Sequence, residues 1–532
     1  GERRTIRDQL LGEEQAEPER SYLLDITLWH AGEEIEPTGS VTVTFSGIDT
    51  EGLYPKVYHI DTDTQTVRDM EAEKTETGDV AVVTDHFSRY AISFVAARDL
   101  TGTIGEDAFL AGGEYKLAGD VQTAENIGQV TITKDTTIDL NGHTLTISKA
   151  NQCFVVESGT LTIQDSQAPA EETVDLGGSN LYGNTAILSE DSLTYYITES
   201  TPTADCTGTT ETLIEHKVPL ANAGKILCKE GSDQVIKVET DGTLDLRGGV
   251  LQGTGVKHIV YVDDGTLNVN GGYIVGGGND DQPGGGIYVG SGAEKGTVNI
   301  QGGVVAANRG NFGGGIYVVG GELTISGGAV TGNGVFNGHD DDGAGIYVNS
   351  GTLNLSGNGY VTNNSKRCEC ADCPIDTNNT HGGGGIALAN GSKMEMTGGY
   401  VTGNYSSLAG GGIYAGYYAG DDGVTFSMTG GTIAANCAQY GEGGGLRIGG
   451  GNNGGTKGVI RTDGTVYITN NQTLTKDDWG GGGIFVQQGG LLSVMDALIT
   501  NNSAEGFGGG VGACPTGETL IVNKDGAAIY DN

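Results

Sequence analysis

The tract Gly284-Gly285-Gly286-Ile287-Tyr288-Val289 returns along the chain in runs whose first apolar residue is Ile316, Ile346, Ile386, Ile413, Leu446, Ile484 and Val511. The spacing ranges from 27 to 40 residues. A weaker copy, Val260-Tyr261-Val262, precedes them. Between copies lies a second element, as in Gly265-Thr266-Leu267-Asn268-Val269, Gly296-Thr297-Val298-Asn299-Ile300 and Gly351-Thr352-Leu353-Asn354-Leu355. A third element follows and ends in Asn: Val330-Thr331-Gly332-Asn333, Val361-Thr362-Asn363, Val401-Thr402-Gly403-Asn404 and Ile433-Ala434-Ala435-Asn436. Each run alternates apolar with polar or small residues, the period of a strand with one buried face. Three such strands cannot bury their apolar sides as an isolated unit. Stacked repeats can, in one column with coils about 4.8 Å apart. Glycines suit the corners because tight turns need positive φ. An Asn at a fixed corner can pair its amide up and down the stack. The sequence therefore predicts an all-β chain built on a right-handed parallel β-helix with three short strands per coil. It also predicts Asn333, Asn404, Asn436 and Asn501 or Asn502 facing inward at one corner, which disfavours glycosylation of strings such as Asn404-Tyr405-Ser406.

Composition removes other classes. Gly supplies 96 of 532 residues and Pro only 9, so collagen is excluded. The net charge of −40 repels phosphate, which argues against nucleic acid and against anionic membrane surfaces. No apolar run approaches the length that spans a bilayer. Eight Cys are too few for a disulfide framework. The 22 Tyr and the regular Val/Ile spacing argue against disorder. The first residues lack a signal peptide, and Ala528-Ile529-Tyr530-Asp531-Asn532 stops in mid-repeat, so the sequence reads as an excised piece of a longer protein.

Gly113 to Val121, followed by Thr136-Thr137-Ile138-Asp139-Leu140-Asn141-Gly142-His143-Thr144-Leu145, resembles the opening coils of bacterial β-helix proteins of the pectate-lyase-like type. Asp107–Leu110 reads as a short helix capping the apolar end. Residues 22–98 carry less Gly and strands at roughly ten-residue intervals, the pattern of a small β-sandwich. The strings Pro37-Thr38-Gly39-Ser40-Val41-Thr42-Val43 and Thr84-Asp85-His86-Phe87-Ser88 resemble a module common in large Gram-positive cell-wall-anchored proteins. The expected layout is 1–21 linker, 22–98 sandwich, 99–165 cap and first coils, 166–230 insertion or irregular coils, and 231–532 repetitive coils. The resemblance implies an extracellular, cell-wall-associated surface protein of the adhesin kind, monomeric, without membrane insertion. The resemblance itself implies no activity; the expectation that the module binds a host protein, such as mucin or immunoglobulin, or a glycan rests on the variable loops along one edge of the β-helix.

No nucleophile elbow, phosphate loop or His-Glu-x-x-His string occurs. Asp263-Asp264, Asp280-Asp281, Asp340-Asp341-Asp342, Asp421-Asp422 and Asp477-Asp478 read as solvated turn acids. No cofactor is expected, with calcium held by one such loop as the alternative. The rival function is a polysaccharide lyase or glycoside hydrolase, which needs carboxylates within about 5–10 Å of each other. Cys368, Cys370 and Cys373 with His381 could bind zinc, but disulfides or free thiols are the simpler reading, with Cys437 as one disulfide partner. His86 beside Asp85 reads as structural. The loops between each ladder Asn and the next glycine run vary in length while the strands do not, which is where a rigid scaffold carries binding. They hold Phe312, Phe336, Tyr405, Tyr440, Trp479 and Phe507. These are the expected contact residues, with loop clamping as the alternative role; no catalytic or metal-binding residue is expected.

Overall fold

The computed structural model describes residues 20–30, 33–35, 39–46, 53–61, 66–70, 72–74, 79–85, 89–178, 180–228, 231–290, 295–336, 342–368, 381–416, 423–449, 456–460, 465–476, 480–522 and 528–532. The chain divides into two compact units: residues 1–100 with the pieces 111–116 and 136–138, and the remainder of 101–532.

In the first unit, Arg20–Asp25, Arg89–Ala96, Leu53–Asp61 and Thr66–Asp69 form one antiparallel sheet, in that order. Val41–Phe45, Val80–Thr84 and Glu73–Lys74 form another. Phe45, Val57, Val80, Val82, Tyr90, Ile92 and Phe94 come from both sheets and share one core, so this is a β-sandwich. His86 lies outside the described residues.

The second unit is a parallel β-helix, in which each strand pairs with its counterpart one coil further along. Ile287–Val289 pairs with Ile316–Val319, and that strand with Ile346–Asn349, in what we call face 1. Thr297–Ile300, Glu322–Ile325 and Thr352–Leu355 stack as face 2. Val304–Ala306, Ala329–Thr331 and Tyr360–Thr362 stack as face 3. The register is unshifted at all three levels, so like stands on like. Ile287, Ile316 and Ile346 of face 1, Val298 and Leu323 of face 2, and Val305 and Val330 of face 3 are all wholly buried in one column. Burying each such side chain contributes roughly 1.5–3 kcal/mol, enough to hold together strands of only three or four residues.

The Asn ladder runs through Asn308, Asn333, Asn364, Asn404, Asn436, Asn471, Asn502 and Asn532. Each amide nitrogen donates to the next side-chain oxygen, at 3.0 Å for Asn333 to Asn364 and 3.1 Å for Asn364 to Asn404. The same nitrogen also donates to a face 3 carbonyl, as Asn404 does to Val361 at 2.9 Å. The residue before each ladder Asn takes positive φ: Ala307, Gly332, Asn363, Gly403, Ala435, Asn470, Asn501 and Asp531. This corrects one expected position. Asn363 supplies the left-handed turn and Asn364 enters the ladder; at the other uncertain corner, Asn502 enters and Asn501 turns. Beyond the ladder, Gly334–Val335, Ser365–Lys366, Tyr405–Ser406, Cys437–Ala438, Gln472–Thr473 and Ser503–Ala504 form a sheet of two-residue strands leading back toward face 1.

The Asp139-Leu140-Asn141-Gly142 string makes a turn in which Asn141 and Gly142 take positive φ. Asp139 Oδ1 accepts the Asn141 N–H, and Asn141 donates to the Leu117 carbonyl at 2.9 Å. The expected helix at Asp107–Leu110 is a run of turns. What covers the apolar end there is Phe109, wholly buried 6.1 Å from Phe154.

Residues 166–223 are not irregular coil. Their strands Glu172–Gly177, Thr209–Pro219, Ser192–Pro202 and Ile187–Leu188 form an antiparallel sheet, in that order. The Asp165 carboxylate closes its neck, accepting the N–H groups of Gly142, Gln167 and Gly224. Leu193, Tyr195, Ile197 and Val218 pack on Val250, Val275, Val304, Ala306 and Ala329 of face 3. Farther along, Thr331 donates to the Tyr196 carbonyl at 2.5 Å, Thr402 donates to the Thr198 carbonyl at 2.6 Å, and Asn470 donates to the Thr209 carbonyl at 3.1 Å. Finally, Tyr530 donates to the Thr207 carbonyl. Eleven-residue strands extend about 36 Å, matching the roughly 38 Å that the coils from Tyr273 to Tyr530 occupy at 4.8 Å each. The insertion is a strap lying along face 3.

Candidate binding face

The three faces present different outer surfaces. The strap covers much of face 3. On face 2 the outward residues are mostly polar, for example Thr297, Asn299, Glu322 and Thr324. Face 1 carries a largely aromatic row at mid-strand, where the side chain points away from the core. Tyr261, Tyr288, Tyr317 and Tyr347 are aligned by register, with ring centroids 5.3, 5.1 and 5.5 Å apart. The row continues through Ala387, Tyr414, Arg447 and Phe485. Its first three tyrosines are half-buried, whereas the side chains from Tyr347 to Phe485 are buried.

His258 lies at the open end, its ring 4.8 Å from that of Tyr288, and its Nδ1–H donates to the Gly284 carbonyl. Burial holds its pKa down to about 4, so the imidazole is neutral at pH 7. Tyr261 donates to Asp263 at 3.0 Å, and Lys237 pairs with both Asp263 and Glu239. Arg309 pairs with Asp280. Asp263 and Asp280 are therefore engaged in ion pairs and are not free turn acids.

Two buried polar groups flank the closed part of the row. Asp342 is wholly buried: Oδ1 accepts the Gly382 N–H at 2.5 Å, and His381 Nδ1 lies 3.1 Å from Oδ2. This overturns its reading as a solvated acid. Arg447 and Glu442 form an ion pair at 3.1 Å with neither side chain exposed. Gln487 donates to the same Glu442 oxygen at 2.9 Å, Arg447 Nη1 donates to the Gly416 carbonyl at 2.9 Å, and the guanidinium lies 4.5 Å from the centre of the Tyr414 ring.

Of the aromatic residues expected to make contact, Phe312 joins the row, half-buried with its ring 5.0 Å from Tyr347. Phe336 lies under the Arg309 guanidinium at 4.5 Å. Tyr405 stacks on Tyr182 of the strap at 6.2 Å and bonds to Gln439, and burial pushes its pKa up to about 12. Tyr440 and Phe507 are exposed, at 42% and 53%. Trp479 lies outside the described residues, as do Asp340, Asp341, Asp421, Asp422, Asp477 and Asp478. The structure thus brings Phe312 to the tyrosine row and gives Phe336 and Tyr405 packing partners within the chain. The sequence reading missed the row itself, although a Tyr in the middle of Ile-Tyr-Val recurs in the very tract that defines the repeat.

Cys368 is disulfide-bonded, while Cys437 is a free, buried thiol whose pKa burial raises to about 12. Cys437 is therefore not the partner considered from the sequence. Among the described residues, no three His, Cys, Asp or Glu side chains converge as ligands for a metal ion. No protein-family model and no curated protein matches the chain.

Proposed function

We propose that this chain is a binding module of an adhesin-like, cell-wall-associated surface protein, and that it holds a glycan chain along face 1. The observation that carries the reading is the half-buried row Tyr261, Tyr288 and Tyr317, continued by Phe312. Aromatic rings supply contact area at low entropy cost and present both an apolar body and a hydroxyl, the combination that suits sugars. Their spacing follows the coil repeat, so an extended ligand lying along the axis meets a ring at each step. The acidic surface favours neutral or basic ligands over anionic ones. A glycan array is the test. Replacing Tyr288 and Tyr317 together by Ala abolishes binding and leaves the melting temperature within a few degrees of the parent. Undiminished binding by the double variant refutes the reading.

A second reading, a polysaccharide-cleaving enzyme, has one observation in its favour. The Asp342–His381 pair and the Glu442–Arg447 pair flank the same aromatic row. An Asp that orients a His is an arrangement general-base chemistry uses. Release of oligosaccharides by the protein, lost in Asp342→Asn, would replace the binding reading with this one.

A further inference from the structure

The turn Ala389-Asn390-Gly391-Ser392 joins the face 1 strand Ile386–Ala389 to Lys393–Thr402, which continues face 2. The Ser392 N–H closes it on the Ala389 carbonyl at 3.1 Å, and its central residues take positive φ, 52° and 74°, as in the type I′ turns that favour Asn-Gly. Asparagine followed by glycine is the pair most open to a reaction within the chain. The deprotonated glycine nitrogen attacks the asparagine Cγ, and glycine puts no Cβ in the way. At four other Asn-Gly pairs the glycine N–H is engaged: Gly142 donates to Asp165 at 2.7 Å, Gly271 to the Leu246 carbonyl at 3.0 Å, Gly334 to the Asn308 carbonyl at 3.0 Å and Gly359 to the Ser356 carbonyl at 3.1 Å. The Gly391 N–H has no partner among the described residues, and Asn390 beside it is exposed.

The Asn390 side chain reaches the aromatic row through one relay. Its Nδ2 donates to Asn349 Oδ1 at 2.7 Å, and Asn349 Nδ2 donates to the Tyr317 hydroxyl at 3.2 Å. Tyr317 therefore accepts from the protein and keeps its own proton for a ligand. We propose that Asn390 converts spontaneously to an aspartyl or isoaspartyl residue and thereby modulates the face 1 row at Tyr317, a consequence that rests on the glycan-binding reading of that face. The steps balance without an oxidant. A bond forms from Gly391 N to Asn390 Cγ, the Cγ–Nδ2 bond breaks, and ammonia leaves with the proton that the glycine gave up. Water then opens the cyclic imide at either carbonyl, its hydroxyl going to carbon and its hydrogen to nitrogen. The product at position 390 carries a carboxylate in place of the amide, and a carboxylate only accepts. Asn349 satisfies it by turning its own amide over, which brings the Asn349 oxygen to Tyr317. The Tyr317 hydroxyl then donates to Asn349 and offers a ligand only its lone pairs.

Peptide mapping by mass spectrometry, after incubation of the protein in mildly alkaline buffer, reads the conversion. The peptide holding Asn390 should gain one mass unit faster than those holding Asn141, Asn270, Asn333 and Asn358, by about tenfold, the cost in rate of first giving up one ordinary hydrogen bond. No conversion at Asn390, or equal conversion at Asn358, which is also exposed, overturns the site. Asn390→Asp reproduces the aspartyl product, and Asp tolerates positive φ, so this variant should keep the parent melting temperature. Its Tyr317 ring resonances should shift, while those of Tyr261, two coils away, stay in place. Unshifted Tyr317 resonances overturn the relay. For the strongest glycan on the array, Asn390→Asp should bind about fivefold more weakly, the worth of one hydrogen bond, and should have no further effect once Asn349→Ala is present. Unchanged affinity in Asn390→Asp despite shifted Tyr317 resonances overturns the modulation and leaves the face 1 reading standing. If the parent binds no glycan, the face 1 reading and the modulation fall together, while the mass map and the resonances still decide the site and the relay.

Discussion

Replacing Asn404 by Ala tests whether the ladder holds the coils together or merely decorates a corner. The Asn404 amide donates to Val361 O and Asn436 Oδ1, and its oxygen accepts from the Asn364 backbone N–H and from Asn364 Nδ2, all between 2.9 and 3.1 Å and wholly buried. Truncation removes the acceptor of the Asn364 N–H and a donor to the Val361 carbonyl, and takes one bond from each neighbouring Asn. Two backbone groups deprived of these bonds out of reach of water, at roughly 1–3 kcal/mol each, give an expected loss of about 2–6 kcal/mol. Asn299→Ala is the control. That residue also bonds to its neighbour in the stack, Asn268, at 3.0 Å, but on the solvent-facing side of face 2, where water can replace the contact. Its expected cost is below about 1 kcal/mol. Urea unfolding followed by circular dichroism compares the two, and amide exchange at Asn364 and Tyr405 locates the damage. A stacked array opens locally, so exchange should rise in the coils beside the substitution before the whole unit melts. If Asn404→Ala and Asn299→Ala shift the urea midpoint equally, the ladder carries no special load and the argument fails.

His258 should make stability fall as the medium is acidified from pH 6.5 toward 4. Its folded pKa, about 4, is depressed below the free value, so its contribution is fully present above pH 6.5 and is lost as pH falls toward the folded pKa; the difference is worth about 3 kcal/mol at most. His258→Gln should flatten that part of the stability profile, and an NMR titration of the ring with a midpoint near 6.5 would contradict it. The carboxyl of Glu171 is partly desolvated, which alone would raise its pKa. Bonds from His216, Tyr273 and Tyr195 outweigh burial and lower it, so its contribution to holding the strap's base is present at neutral pH and lost in strong acid. Glu171→Gln should therefore reduce stability at pH 7 more than at pH 2, as read from urea midpoints at the two values. Cys206 is exposed and Cys437 is buried with a raised pKa, so iodoacetamide at pH 8 should label Cys206 in the native protein and leave Cys437 until urea is added. Rapid native labelling of Cys437 would show that the corner it occupies opens readily.

The repeat, the three strands per coil and the inward Asn were legible because each depends on neighbours within one coil or on a residue type recurring at a fixed place. The Asn363/Asn364 correction shows the limit of that reading: both residues can take positive φ, and only the register of the stack decides which one turns. The buried state of Asp342 was equally invisible, because His381, which faces it, lies a full coil away. The strap was hidden for a stronger reason. Its strands Ser192–Pro202 and Thr209–Pro219 pair with each other and reach residues as distant as Asn470, while the turn between them reaches Tyr530, so no local period reports them.

Yet face 3 carried a signal. Face 2 strands such as Thr297-Val298-Asn299-Ile300 alternate cleanly, whereas two early face 3 strands, Tyr273-Ile274-Val275 and Val304-Val305-Ala306, are apolar on both sides. A strand with one wet face alternates, and a strand buried on both faces does not. In those two coils the difference calls for a cover over face 3, and the 166–230 interruption is the segment with the length and the β-forming residues to supply it. The strap tip gives this argument a test. Glu211 is buried and accepts from Ser200, Thr209 and Asn470, so three donors converge on one carboxylate. Glu211→Gln turns one acceptor into a donor facing them, at an expected cost of about 1–3 kcal/mol. If the strap holds the late coils, amide exchange should rise at Asn470, Asn471 and Thr500 and remain unchanged at Tyr288 and Tyr317 on face 1. Unchanged exchange at all five would mean that these coils stay closed without the tip, and that the strap serves only to cover the apolar surface beneath its base.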